Sequence, residues 1–228
     1  MEEKVPIARY VVRETLGVVV TAVALLWSAG SVDWWQGWVA IAIVLSWTVA
    51  LAFVLLRLNP SLLAERLGLR KGAKSWDSTI VGMLGAAQLI RYVLAGLDHR
   101  FGWTVGFPLF VQVVGLVVCV MGYGVFVWAT ASNAYFSRVI RIQGDRGQTV
   151  VKSGPYRRVR HPAYAGIMLC EVAVAALLSS WWVLILGLLI VVLLIIRTTL
   201  EDRTLRKELP GYEEYTTEVR YRLIPGIW

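Results

Sequence analysis

Long apolar runs alternate along this chain with short polar connections. A membrane-spanning helix takes roughly 20 mainly apolar residues. Six runs qualify, at about 12–30, 35–57, 79–97, 106–130, 163–180 and 182–200. Only Ser179-Ser180-Trp181-Trp182 separates the last two, so the pattern predicts a tight antiparallel hairpin there. Beyond Leu200 the chain turns polar, and Glu201 to Leu209 reads as a continuation of the sixth helix. Pro210-Gly211 ends it, because proline removes a backbone donor and glycine tolerates the turn. The last residues, Arg222 to Trp228, read as a surface segment returning to the interface. Neither an internal repeat nor a low-complexity tract interrupts the pattern. The expectation is an all-α integral membrane bundle, a single structural domain overall. Its N-terminal four-helix membrane region covers 1–130; a cytoplasmic segment, helical hairpin and tail cover 131–228.

Composition strengthens that reading. Of 228 residues 57% are hydrophobic, above the 45–50% usual for soluble domains. Eleven tryptophans suit a membrane interface. Cys119 and Cys170 both lie inside apolar runs, so neither a disulfide framework nor a metal site follows from them. The net charge is +8, and its distribution gives the orientation. The N-terminal tail and its border hold Lys4, Arg9 and Arg13; the second connection and its border hold Arg57, Arg66, Arg70, Lys71 and Lys74. Arg138, Arg141, Arg146, Lys152, Arg157, Arg158 and Arg160 follow the fourth, and Arg203, Arg206, Lys207, Arg220 and Arg222 fill the tail. The other connections carry only Arg100. By the positive-inside rule both termini are cytoplasmic, and an even number of spans agrees. Charge so placed faces anionic lipid rather than nucleic acid. Met1-Glu2-Glu3-Lys4, of mixed charge before a long run, marks a first membrane helix rather than a cleaved signal.

Several chemistries are excluded. There is no GxGxxG after a strand, no P-loop, no HExxH and no CxxC. His99 and His161 are the only histidines, too few for a diiron or other multi-histidine metal site. What remains is a constellation in three pieces at the cytoplasmic border. Gln148-Thr149-Val150-Val151 is a short extended stretch. Tyr156 stands near His161-Pro162-Ala163-Tyr164. Arg197 and Glu201, four residues apart, share one helix face.

The pattern Gly154-x-Tyr156-x-x-x-Arg160-His161-Pro162-x-Tyr164-x-Gly166, followed by a helical hairpin and the acidic pair Glu201-Asp202, resembles the isoprenylcysteine carboxyl methyltransferase family. That family stands in a wider group with phospholipid N-methyltransferases, and the resemblance covers about residues 133–225. It implies S-adenosyl-L-methionine as methyl donor, held in a cytoplasmic pocket beside the membrane without a Rossmann sheet. By position it assigns cofactor contacts to Gln148, Thr149, Val150, Val151, Tyr156, His161, Pro162, Ala163, Tyr164 and Glu201, and a substrate contact to Arg197. Two positions depart from the family: the acidic pair is Glu-Asp, and Arg141 stands where some relatives place a cofactor-binding glutamine. The residue types suit the donor. Glu201 pairs with its ammonium or favours its cation; His161, Arg160 and backbone N–H groups near Pro162 take its carboxylate; Tyr156 and Tyr164 stack on adenine or line the sulfonium. Arg197 would orient a carboxylate acceptor, the favoured class, whereas an amine or thiol would look to Glu201 as base.

Bland readings stand beside these. Arg157 and Arg158 read as topology determinants, Pro162 as an ordinary helix start and Tyr164 as an interfacial anchor. His99 reads as a loop residue, and Asn133, Phe136 and Ser137 as a possible pocket roof. Arg91 and Glu171 fall inside spans, where an unpaired charge costs several kcal/mol. Arg91 is expected to snorkel or to pair, and Glu171 to face the bundle interior, lining a substrate path or pairing with Arg91. The expected partners are the bilayer and a lipidic or amphipathic acceptor of open identity, with no nucleic acid and no metal; oligomeric state stays open. The rivals are an NADPH-dependent membrane reductase of sterol-reductase type and a non-catalytic sensor or scaffold.

Overall fold

The computed structural model describes residues 7–67 and 72–228. Lys4, Arg70 and Lys71, counted above for orientation, lie outside the described residues, as does the Met1-Glu2-Glu3-Lys4 segment. The described residues form eight α-helices: α1 (Ile7–Ala29), α2 (Trp35–Arg57), α3 (Pro60–Leu67), α4 (Ser75–Phe101), α5 (Leu109–Ser132), α6 (Pro162–Leu178), α7 (Trp181–Glu208) and α8 (Tyr212–Glu218). No strand occurs among the described residues.

Among the described residues five helices, α1, α2, α4, α5 and α7, are long and apolar enough to cross a membrane. The fifth of the six expected spans, α6, has 17 residues, roughly 25 Å at 1.5 Å per residue, and sits at the lower limit for a crossing. The first helix covers Ile7–Ala29 of the described residues, so Arg9 and Arg13 lie on α1 rather than in a tail. The third span runs over Ser75–Phe101, longer at both ends than its apolar stretch, and takes in Asp77 and His99. His99 is thus helical, its ring stacked 4.7 Å from Trp34. The connection after α2 holds the unexpected short helix α3. It starts at Pro60, where the missing N–H costs nothing in a first turn. The preceding Asn59 donates to the carbonyls of Thr130 and Ala131, at the end of α5.

The closest packing joins α5 to α6 and depends on glycine. A Cβ on Gly122 would meet Gly166 O at 2.5 Å, and one on Gly115 would meet Ala173 O at 2.7 Å. Small residues let helix backbones approach where lipid offers no hydrophobic driving force. The α6–α7 turn has two residues. Ser179 takes a left-handed conformation at φ 57°, and Ser180 caps α7 by accepting from Val183 N. Asp98 seals this end of the bundle, accepting from Thr104 N and Oγ1 and from Ser180 Oγ. Inside, Arg91 pairs with Glu171; the two are 1% and 4% exposed. Arg91 therefore pairs and does not snorkel.

At the polar end, α7 continues to Glu208 as its sequence suggests, and Gly211, at φ 78°, turns the chain into α8. The final segment folds back on itself. Arg222 N, Leu223 N and Ile224 N all donate to Trp228 O, and the Arg222 guanidinium lies 5.0 Å over the Trp228 ring.

Candidate functional site

Asp202 organises the polar end. It is 0% exposed on α7 and accepts from Arg160 Nε at 2.8 Å, Arg222 Nε at 3.0 Å and the Tyr212 hydroxyl at 3.1 Å. Arg160 also donates to the carbonyls of Val219 and Arg220, both at 2.7 Å. Arg160 N and His161 N donate to Tyr221 O and Arg222 O. The Arg160-His161 step is in this way clasped between α7 and the C-terminal tail. The acidic pair divides its work: Asp202 turns inward to hold the clasp, while Glu201 faces a cleft. Arg160 lines the cleft as well, although each of its guanidinium nitrogens already donates within the clasp.

The cleft, about 80 Å³, is lined by Gln148, Thr149, Val150, Val151, Tyr156, His161, Ala163, Tyr164 and Glu201. Nine of the ten residues the resemblance assigned to the cofactor thus meet at one cavity. Pro162 does not line it; buried at the first position of α6, it sets the helix start. Asn133, Phe136 and Ser137 line the cleft, as does Arg141. The Arg141 fork is held by Glu65 at 2.6 Å and Asp145 at 2.8 Å. That hydrogen bond keeps the Glu65 carboxyl below the usual carboxylate range. Tyr135, Gln143, Tyr212 and Tyr215 also line the cleft and were missed in the sequence. The two last residues sit on α8, a short polar helix with no apolar period to announce an inward face. Burial, and then the Asp202 carboxylate, push the Tyr212 phenol up, so it stays a donor. Tyr215 fixes the wall by donating to Tyr156 O at 2.6 Å.

Glu201 accepts from the Tyr164 hydroxyl at 2.6 Å and makes no ion pair among the described residues. It is a carboxylate without a contacting cation among the described residues, at a cleft walled by tyrosines. The backbone N–H groups of Thr149, Val150 and Val151 donate to no described residue. These features suit a ligand bearing both a cation and hydrogen-bond acceptors. The pattern fits S-adenosylmethionine: Glu201 toward ammonium or sulfonium, the aromatic walls toward adenine, and the free N–H groups toward its carboxylate or base.

Behind this cleft a larger chamber of about 630 Å³ runs into the bundle. Arg197 and Glu171 line it, and neither lines the cleft. Phe136, Ser137 and Tyr164 line both cavities and form the wall between them. Arg197 makes no ion pair with Glu201. It donates to Asp77 Oδ1 at 2.7 Å, to Asp77 Oδ2 at 3.3 Å and to Arg138 O at 3.0 Å. Its guanidinium lies 5.4 Å over the Tyr164 ring. Asp77, 0% exposed, also accepts from Ile140 N at 2.8 Å. The sequence did carry a signal for Asp77, an isolated acid just before an apolar span. No group of three or more potential metal-binding side chains occurs among the described residues.

Residues 110–210 match the family model described as Phospholipid methyltransferase. The match spans nearly all of α5, the cleft-lining segment, α6 and α7, and it fits the wider phospholipid and isoprenylcysteine methyltransferase group. It supports a membrane methyltransferase. Helices α1 to α4, with Arg66, Asp77 and Arg91, lie outside the matched stretch. No curated protein matches the chain.

Proposed function

We propose that this chain is an S-adenosylmethionine-dependent methyltransferase acting at the cytoplasmic border of the membrane on a lipidic or amphipathic acceptor. The observation that carries the reading is the shared wall. A polar cleft suited to a methyl donor and a chamber inside the bundle meet at Phe136, Ser137 and Tyr164.

When bound, S-adenosylmethionine supplies a methyl group activated on a sulfonium cation. The protein's task is then placement. Glu201 and the tyrosine faces attract the cation, with cation–π contacts contributing about 0.5–2 kcal/mol. Glu201 is fixed in direction by Tyr164, and Tyr164 belongs to both cavities, so one side chain aligns donor and acceptor. Such alignment lowers the barrier by roughly 7–11 kcal/mol without a covalent intermediate. Arg197, locked by Asp77 and lying over the Tyr164 ring, presents positive charge at the acceptor side of the wall. An ionised acceptor needs no base here. The long lipid-facing helices allow an amphiphile to enter from the bilayer while the donor enters from water.

Calorimetry on the detergent-purified full chain, with S-adenosylmethionine and NADPH, tests the donor. Transfer of a radiolabelled methyl group onto total membrane lipid tests the activity. Donor binding with label on a lipid fraction is the expected result. NADPH binding alone would move the protein to the reductases, and binding of neither would leave a scaffold.

A further inference from the structure

Arg66 is the anomaly of the chamber. It lies in the last described turn of α3, is 7% exposed, and lines the chamber near the wall shared with the cleft. Its Nε and Nη2 donate to Phe136 O at 3.2 and 3.0 Å, and its guanidinium lies 5.4 Å over the Phe136 ring. Phe136 is one of the three wall residues. No described carboxylate pairs with Arg66. Nearby, Arg13 and Arg138 share Glu14, and Arg197 has Asp77. Of these four guanidinium groups Arg66 alone has no ion-pair partner among the described residues, and Glu14, already shared by two arginines, acts on it only from beyond contact. Desolvation, with Arg138 next to it, lowers the Arg66 pKa to about 10, so it is still charged at neutral pH.

A buried charge without a counter-ion is strongly destabilising. A residue serving only to set topology has no need of burial. Nη1 has no partner among the described residues, so part of the planar fork that matches carboxylate and phosphate geometry is free.

We propose that Arg66 is the oxyanion-binding residue of this chamber, and that the acceptor is an amphiphile whose carboxylate or phosphate seats beside Phe136. The proposal rests on the reading that the chamber holds the acceptor. It adds a residue outside the stretch matched to the family, and it disfavours purely cationic or neutral headgroups.

The test is calorimetry on the full chain in detergent with dodecanoate, dodecyl phosphate and the neutral dodecanamide. Both anions, or one of them, are expected to bind about tenfold or more tightly than the amide. Which anion is preferred separates a carboxylate from a phosphate source. Arg66→Gln is expected to abolish the preference and leave dodecanamide binding unchanged. Equal binding of all three probes by the native chain overturns the proposal. So does a preference that survives Arg66→Gln or, if that variant does not fold, is undiminished in Arg66→Lys. No methyl donor is needed for this measurement, so anion preference without methyl transfer would count against the donor reading alone.

Discussion

The Asp77 carboxylate joins elements distant in sequence: α4 that carries it, α7 through Arg197, and the loop through Ile140 N. Removing one partner of a buried ion pair strands the other, at a cost of about 3–5 kcal/mol. Asp77→Asn is therefore expected to lower the thermal midpoint sharply in detergent and to reduce methyl transfer by releasing Arg197. Adding Arg197→Met should recover part of the stability, because the stranded charge is then gone. Strictly additive losses would show that the two residues act separately. Glu201→Gln probes the opposite wall. It keeps an oxygen for the Tyr164 hydroxyl but removes the charge, so S-adenosylmethionine affinity should fall about tenfold or more in calorimetry. An unchanged affinity would mean that no cation of the donor sits against Glu201. The sequence pattern pointed to Glu201 and Tyr164 because both lie within one local motif or one helix turn of another. It was silent on the partners of Arg160 and Arg197, since a guanidinium's choice of carboxylate is a tertiary fact. Arg197 shares a helix face with Glu201, four residues on, yet Asp77, far off in sequence, is its partner.

Helix positions were largely legible from apolar runs, and what escaped was the polar or short pieces. Helix α3, eight residues long, buries Leu62, Leu63, Arg66 and Leu67 on one face, a stretch too short to stand out as a periodic run. Its Glu65 is clamped by Arg141, which depresses the carboxyl pKa. The sign follows: this stabilisation is present above the unfolded value of about 4.3 and is lost as pH falls through the lower folded value. Thermal midpoints of the purified protein should drop in acid below about pH 4, and Glu65→Gln should flatten part of that drop. Gly166, the last position of the sequence motif, belongs to the packing of α5 against α6. A Cβ there would lie 3.1 Å from Phe126 N and closer still to Gly122 O. Gly166→Ala should cost about 1–3 kcal/mol, whereas Gly124→Ala, with nothing within 4 Å, should be neutral or slightly stabilising. Equal thermal midpoints for the two variants would refute close packing as the reason for Gly166.

At the scale of the whole molecule, the two ends differ in kind. One end carries Trp34, Trp35, Trp38, Trp103, Trp181 and Trp182, with Trp103 and Phe107 packed edge-on against Trp182 and Trp181. That is the composition of an interfacial aromatic belt. The other end carries the basic loops and both cavity mouths' charged residues, including Arg66, Arg138 and Arg141. The broad apolar surface between them, with Leu16, Val23, Val49, Phe53, Val120, Leu189 and Val192 all exposed, suits lipid and not water. The charge asymmetry predicts that the basic end is cytoplasmic. The native cysteines, Cys119 and Cys170, are buried, so introduced ones report cleanly to a membrane-impermeant maleimide. In intact cells Val105→Cys should be labelled and Ser153→Cys protected, with both labelled after permeabilisation. The reverse result would place the Glu201 cleft on the outer face. The donor reading would then need a source of S-adenosylmethionine outside the cell, and the cleft's claim to that ligand would fall with it.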